Sequence, residues 1–218
     1  MAEMSLGDGI ALLQRRGRLI KGLLVAGFVV LALLLAGQIA ELHGLVSLAK
    51  PAPVEGLGAL YFGVGLADLS LALITSVIFC MWIYRAAANL RSARVPGLAF
   101  TPGWAVGWNF VPFANFFKPY QAMSQIWSAS HGDDPDDRYR GQMLLACWWG
   151  LWSFSIVATI AATQTSIDAA TPAEDRDAIL FAILCSVVNL LLYPLALCLV
   201  DRITAAQRDR FAAAQGPA

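Results

Sequence analysis

The stretch FTPGWAVGWNFVPFANFFKPYQAMSQIW, residues Phe100–Trp127, decides how this chain is arranged. It is as apolar and aromatic as a membrane segment, yet it contains three prolines and a lysine. Its apolar part, Gly103–Phe117, is short and is broken by Pro112. A helix needs about 20 residues to cross the hydrocarbon of a bilayer. We therefore predict that this stretch does not cross the membrane.

The composition of the whole chain indicates an integral membrane protein. Of its 218 residues, 58% are hydrophobic and only 14% are charged, whereas soluble domains carry about 25% charged residues. Lipid offers no hydrogen-bond partner to bare backbone, so segments that cross it must be helical. The sequence predicts an all-α fold, a four-helix transmembrane bundle that forms a single membrane domain over residues 1–218. Its four spans lie at about residues 19–40, 59–84, 143–162 and 179–200.

The positions of the basic residues predict the orientation. Lysine and arginine concentrate in the short loops on the cytoplasmic side of a membrane. With four spans and the N-terminus inside, 13 of the 15 basic residues lie inside, and only Lys50 and Arg176 lie outside. If the opening stretch crossed the membrane, Arg138 and Arg140 would move outside and the count would worsen. We therefore predict a multi-pass protein of the cell membrane with both termini in the cytoplasm.

The prolines divide the opening stretch into two short helices. A first helix begins at Thr101-Pro102, where threonine caps the end and the missing proline N–H costs nothing, and it ends at Pro112. A second helix begins at Pro119 and continues through Ser130. Because tryptophan and tyrosine favour the headgroup level, we predict an interfacial segment on the cytoplasmic side at about residues 100–130. A shallow re-entrant dip into the inner leaflet is the alternative.

The side chains of this segment form a candidate surface for the membrane interface or for a partner. They are aromatic or polar, and almost none of them carries ionisable chemistry. This surface comprises Trp104, Trp108, Asn109, Asn115, Lys118, Tyr120 and Trp127.

Three sequence patterns resemble a bacterial membrane family. They are WIYRAAANL (Trp82–Leu90), TPGWAVGWNFVPFANFFKPYQAMSQIW (Thr101–Trp127) and DRITAAQ (Asp201–Gln207). The chain is similar, from its second span to the end of its fourth, to the family of the domain of unknown function 4328. This resemblance implies a multi-span protein of the bacterial cytoplasmic membrane, and it implies no reaction.

Polar residues inside the spans form a candidate intramembrane site. Carboxylates are rare within spans, usually face the protein interior and count as functional candidates. The candidates are Asp68 and Thr75 in the second span, with Asn189 and Tyr193 in the fourth. A proton or cation site is one interpretation, and a hydrogen-bonded tie between helices is the favoured one. We further hypothesise that Asp68 and Asn189 face a common interior pocket.

A basic cluster continues the second helix beyond the membrane. It contains Arg85, Asn89, Arg91 and Arg94. Positive charge near the inner leaflet attracts anionic headgroups, and this explains the cluster better than nucleic-acid binding does. A specific partner site is the alternative.

Metal and cofactor motifs are missing from the sequence. The four cysteines include no CxxC pair, and His43 and His131 have no partner at ligand spacing. The acidic runs His131–Gly141 and Thr171–Asp175 predict helix starts, the second as a capping box in which Thr171 and Glu174 bond reciprocally. We expect no metal and no cofactor.

The leading functional hypothesis is a non-enzymatic interaction or regulatory module. Its inner helices and basic cluster would recruit a protein partner at the cytoplasmic face, with the lipid bilayer as the other contact. The alternative is a small transporter or channel subunit that uses Asp68 and Asn189. Four spans are few for a pore, so it would form a homo-oligomer through the small residues Ala32, Ala36 and Ala40. A lipid-modifying enzyme is the third hypothesis, and catalysis is the less favoured class.

Overall fold

The computed structural model describes residues 4–46, 56–132 and 135–214 of the chain. Those residues contain α-helices and short 3₁₀ turns and no β-strand. Lys50 and Asp134, which belongs to the acidic run predicted to start a helix, lie outside the described residues. The six α-helices are α1 Leu6–Leu42, α2 Gly56–Ser92, α3 Pro102–Gly107, α4 Lys118–His131, α5 Pro135–Asp168 and α6 Pro172–Ala214.

Four of the helices, α1, α2, α5 and α6, are long and apolar enough to cross a membrane. Each contains one of the four predicted spans, so the prediction of four membrane-length helices is confirmed. Each helix also extends beyond its apolar run. In α2 the apolar run ends near Tyr84, yet the helix continues to Ser92. The polar ends stay helical because several of their side chains are packed into the protein, as described below.

The start of α3 confirms the predicted cap. The Thr101 hydroxyl accepts a hydrogen bond from the backbone N–H of Trp104 at 3.2 Å, and Pro102 occupies the first helical turn. A 3₁₀ turn, Trp108–Phe110, continues the helix up to the break at Pro112. Phe113 then adopts a left-handed backbone with φ of 61°. This conformation is costly for a bulky residue, and it turns the chain sharply toward α4.

The second predicted short helix is confirmed within one residue as α4, Lys118–His131. It ends at Gly132, whose φ of 82° suits glycine. One face of α4 is buried, including Met123, Ile126 and Trp127. This face of α4 therefore packs against protein.

The start of α6 confirms the predicted capping box. The backbone N–H of Glu174 donates to the Thr171 hydroxyl at 3.3 Å, and the Glu174 carboxylate accepts from the backbone N–H of Thr171 at 2.9 Å. A second N–H, that of Ala170, donates to the same carboxylate at 2.8 Å. Local sequence alone thus fixed this helix end.

The chain divides into two compact units, each built from parts of the long helices. Unit 1 comprises Met1–Gly22, Thr75–Trp149 and Leu195–Ala218, and it includes α3 and α4. Unit 2 comprises Leu23–Ile74 and Gly150–Pro194. That the two units fold as a single domain stays a prediction.

Unit 2 packs through small residues and a few polar ties. Ala158, Ala162 and Cys185 form a buried cluster on α5 and α6. The buried Ser186 hydroxyl donates to the Gln38 carboxamide oxygen at 2.8 Å. Hydrogen bonds of this kind between helices are the usual ties in membrane bundles.

Unit 1 has a core of large side chains contributed by five helices. Its fully buried members come from α1, α2, α4, α5 and α6, and they include Leu13, Ile20, Trp82, Leu90, Met123, Trp127, Leu145, Leu199 and Ile203. Polar residues are buried beside them, and those residues form the site described next.

Candidate functional site

A buried hydrogen-bond network joins four helices in unit 1. Asn89 on α2 and Gln207 on α6 are both fully buried. The Asn89 side-chain NH₂ donates to the Gly9 carbonyl at 3.2 Å and to the Gln207 carboxamide oxygen at 3.3 Å. The Gln207 NH₂ donates to the Ala86 carbonyl and to the Ser130 hydroxyl, both at 3.1 Å. The network thereby fixes α4, through Ser130, to α1, α2 and α6.

Arg85 extends this network toward the start of the chain. Only 7% of Arg85 is exposed. Its Nε donates to the Asn89 carboxamide oxygen at 2.8 Å, and its Nη1 donates to the Met4 sulfur at 2.9 Å. Gly9 makes room for the Asn89 side chain that Arg85 bonds, because a Cβ at Gly9 would lie 2.4 Å from Asn89 Oδ1. A satisfied buried polar network of this kind holds its helices in one arrangement.

The predicted basic cluster does not form one surface. Arg91 and Arg94 are exposed, but Arg85 and Asn89 are buried in the network. The two buried residues lie four positions apart, on the face of α2 that meets α1 and α6. The expectation that all four face anionic headgroups is corrected accordingly, since charge alone does not indicate which face of a helix packs.

Sequence reasoning missed Gln207, Ser130 and Gly9 as members of this network. Two of the patterns that carry the family resemblance each contain an amide residue of this network. Asn89 is the one amide in WIYRAAANL, and Gln207 is the one amide in DRITAAQ. A lone amide in each of two Ala-rich helical patterns is typical of a pair that meets inside the protein.

Two tryptophans fix the segment between α2 and α5, and a third ties α2 to α6. The Trp127 indole N–H donates to the Asp137 carbonyl at 3.1 Å, and that of Trp149 donates to the Phe116 carbonyl at 2.8 Å. The Trp82 N–H donates to the Thr204 hydroxyl at 3.1 Å. These bonds satisfy the polar atom of each large ring where the ring is packed.

Trp127 is not part of an exposed surface, contrary to the expectation from sequence. It is 2% exposed. Its ring lies against the backbone of Gly141 in α5, so close that a Cβ at that glycine would lie 1.9 Å from Trp127 Nε1. The absence of a side chain at Gly141 opens the space that buries the indole.

The exposed face of the segment carries large apolar side chains instead. Trp104 is 52% exposed, Phe110 75% and Phe113 83%. Together with the exposed Phe116 and Phe117 they form what we call the aromatic surface. The four phenylalanines were not among the predicted surface residues, although the spacing of three positions between Phe110, Phe113 and Phe116 is visible in the sequence.

The remaining predicted residues of this segment are half-buried. The Trp104 and Trp108 ring centroids lie 4.7 Å apart, as expected for residues one turn apart. The Lys118 ammonium lies 5.8 Å from the Trp108 ring centroid, within the range of a cation–π contact. Asn109 donates to the Val106 carbonyl at 2.9 Å.

Asn115 and Tyr120 are the last two of the half-buried residues predicted for the surface of this segment. The side-chain oxygen of Asn115 is buried and has no hydrogen-bond partner among the described residues. Tyr120 is half-buried near the start of α4.

The predicted intramembrane residues are brought together only in part. In unit 2, Asp68 and Tyr193 are both half-buried. The Tyr193 ring meets Phe28 edge-on at 6.2 Å and lies against Gly27, where a Cβ would be 2.7 Å from its hydroxyl oxygen. Asn189 is half-buried in unit 2 and shows no interaction with Asp68 within the described part of the chain.

Thr75, the fourth predicted residue of that site, belongs to unit 1. It is half-buried on α2, two helical turns after Asp68 in the sequence.

The comparison with known families agrees with the sequence patterns. The model of a family described as "Domain of unknown function (DUF4328)" matches residues 47–205. The match begins before α2, includes Asn89 and the whole segment between α2 and α5, and ends within DRITAAQ. No curated protein and no solved structure matches the chain.

Proposed function

We propose that this chain, which belongs to the family of the domain of unknown function DUF4328, is a non-enzymatic interaction module of the bacterial cytoplasmic membrane. Four membrane-length helices hold it in the bilayer. The N- and C-termini and the segment of α3 and α4 lie on the cytoplasmic side, where 13 of the 15 basic residues would then be found. The aromatic surface recruits a partner protein there.

The observation that carries this proposal is the contrast between the two faces of the segment. Exposed large apolar side chains are candidates for interaction sites, and Trp104, Phe110 and Phe113 are all exposed within one short stretch of the segment. The opposite face is fixed by the buried Trp127 and by the bond from Gln207 to Ser130. A surface held in this way loses little conformational entropy when it binds, which favours affinity.

The test is a pull-down from native membranes in mild detergent. The chain with Trp104→Ala, Phe110→Ala and Phe113→Ala is compared with the wild type. A matched control carries Leu69→Ala and Leu73→Ala, two exposed leucines of α2 within a predicted span. We expect co-purifying proteins to be lost with the first variant and kept with the control. If the first variant keeps every partner, the aromatic surface is not the docking site and the proposal fails.

The orientation has its own test. Cysteines at Ser92 and Gln121, both exposed, report the segment, and one at Asp175 reports the other side. They are introduced singly after Cys80, Cys147, Cys185 and Cys198 are replaced by alanine. We expect a membrane-impermeant maleimide to label Ser92→Cys and Gln121→Cys from the cytoplasm and Asp175→Cys from outside. Labelling of the first two from opposite sides would overturn the arrangement.

A small transporter or channel subunit is the second candidate, favoured by the half-buried carboxyl of Asp68 within a predicted span. A carboxyl within a predicted span is a candidate proton or cation group. Proton flux into proteoliposomes under an imposed potential tests it. Asp68→Asn should abolish the flux and the control Leu69→Ala should keep it. A flux that is indifferent to Asp68→Asn argues against this candidate.

A further inference from the structure

Each of the four long helices contributes residues to both compact units, so the chain crosses a unit boundary once in every long helix. The boundaries fall after Gly22 in α1, after Ile74 in α2, before Gly150 in α5 and after Pro194 in α6. Glycine weakens an α-helix through its backbone freedom, and proline weakens it through its missing N–H. Residues that weaken a helix therefore coincide with the boundaries in α1, α5 and α6.

Packing does not account for these three residues. Gly22, Gly150 and Pro194 are all exposed, and a Cβ at either glycine would meet nothing within 4 Å. Gly141 of α5 differs in this respect, because a Cβ there would collide with the Trp127 ring. Alanine is the best helix former, and glycine is among the worst. Two boundary positions thus carry glycine although no contact in the described part of the chain requires it.

The boundary in α6 also lacks a backbone hydrogen bond. Pro194 lies inside the helix and has no N–H to donate to the Leu190 carbonyl. Proline is one of the few causes of a sharp bend in a helix. The helix continues on both sides of the proline, from Pro172 to Ala214. A bend at this point therefore does not require the helix to unfold.

The parts of the helices that belong to unit 1 are held together by the buried network. The Asn89 and Gln207 amides bond to each other and, through Gly9 and Ser130, to α1 and α4. A satisfied network of this kind holds its helices in one arrangement. Bending of the long helices is therefore expected beyond the network, where their backbone is weakest.

We propose that α1, α5 and α6 bend at Gly22, Gly150 and Pro194, and that these three residues act together as a hinge of the chain. A hinge consists of a few residues that absorb a change of backbone angles while the elements on either side stay rigid. α2 crosses its boundary between Ile74 and Thr75, with neither glycine nor proline, and is the helix that stays continuous. This hinge goes beyond the proposed interaction module and does not depend on the aromatic surface.

The test measures the distribution of distances between two spin labels by double electron–electron resonance on the full chain in lipid nanodiscs. The labels are attached to introduced cysteines after the four native cysteines are replaced by alanine. The pair Gln142→Cys with Asp175→Cys places one exposed label in each unit, and the reference pair Gln142→Cys with Ser92→Cys lies within unit 1. We expect a broader distribution for the first pair, since only that pair spans the hinge.

A hinge variant and a matched control then assign the motion to the three residues. The hinge variant carries Gly22→Ala, Gly150→Ala and Pro194→Ala, and the control carries Gly63→Ala. Gly63 is also an exposed helical glycine with nothing within 4 Å, but it lies inside unit 2 and not at a boundary. The hinge variant should narrow the distribution of the first pair toward that of the reference pair. The control should leave it as broad as in the wild type.

Three results overturn the hinge. The first pair is as narrowly distributed as the reference pair in the wild type, the hinge variant leaves its distribution unchanged, or the control narrows it as much as the hinge variant does. A second variant, Gly22→Ala with Gly150→Ala, keeps Pro194 and covers the case in which loss of the proline prevents folding. It should narrow the distribution in part, and an unchanged distribution in this variant would also overturn the proposal.

Discussion

The carboxamide of Asn89 donates a hydrogen bond to the carboxamide of Gln207 at 3.3 Å, between residues 118 positions apart in the chain. Both side chains are fully buried, and each also bonds a backbone carbonyl of another helix. The pair therefore ties the end of α6 to α1 and α2. Through Ser130 it also fixes the helix that supports the aromatic surface.

Replacing either amide should destabilise unit 1. Asn89→Ala removes the partner of the Gln207 carboxamide oxygen and of Arg85 Nε, and buried unsatisfied groups cost about 1–3 kcal/mol. We expect a lower melting temperature in detergent for each single variant. In the double variant with Gln207→Ala the loss should be less than the sum, because the two residues share one interaction. Gln142→Ala, at an exposed position of α5, is the control. Strictly additive losses would contradict the coupling.

Gly9→Ala should disrupt the same network from the other side. The new Cβ would lie 2.4 Å from Asn89 Oδ1 and 3.0 Å from Arg85 Nη2, so both side chains must move. We expect a loss of about 1–3 kcal/mol of stability, typical of overpacking. Gly22→Ala in the same helix meets nothing within 4 Å and should be neutral or slightly stabilising. Melting temperatures of the two variants that agree within error would count against the close contact.

Gly141→Ala should displace the buried indole of Trp127. A Cβ at this glycine would lie 1.9 Å from Trp127 Nε1, whereas one at Gly150 in the same helix meets nothing within 4 Å. We expect Gly141→Ala to lower the melting temperature and to increase exposure of the ring to fluorescence quenchers, and Gly150→Ala to do neither. Trp127→Phe removes the clashing atoms and should recover part of the loss. If Trp127→Phe recovers none of the lost stability, a contact other than that between Gly141 and Trp127 is responsible.

The capping box of α6 should weaken at low pH. The backbone N–H groups of Ala170 and Thr171, and then the Thr171 hydroxyl, hold the pKa of Glu174 below its usual range. A carboxyl with a lowered folded pKa stabilises fully above its unfolded pKa, and that contribution is lost as the pH falls through the folded value. The first turn of α6 should therefore fray only in acid, below the usual range of glutamate.

Hydrogen exchange of the first-turn amides, corrected for intrinsic rates at each pH, measures this fraying. Glu174→Gln should remove the dependence on pH, since its amide does not titrate. Asp175→Asn, at the neighbouring exposed position, is the control and should keep it. An unchanged acid response in Glu174→Gln would show that another group is responsible.

Most helices of this chain could be predicted from sequence because their causes are local. The length of the apolar runs predicted the four long helices. Thr101 and Pro102 predicted the start of α3, and Pro112 predicted the break after the 3₁₀ turn that follows it, while α3 itself ends earlier, at Gly107. Pro119 placed the start of α4 within one residue. The ring contact between Trp104 and Trp108 was also predictable, because the two residues lie about one helical turn apart.

Which side chains are buried was decided by tertiary structure. Arg85 and Asn89 were assigned to a surface because of their charge and polarity, yet partners far along the chain bury and satisfy them. Trp127 was assigned to the membrane interface, yet Gly141 leaves the space that buries it. Sequence by itself determined the helices and their caps, since those depend on neighbours within about one turn. Only the tertiary structure decided the buried network, because it requires residues from four different helices to meet.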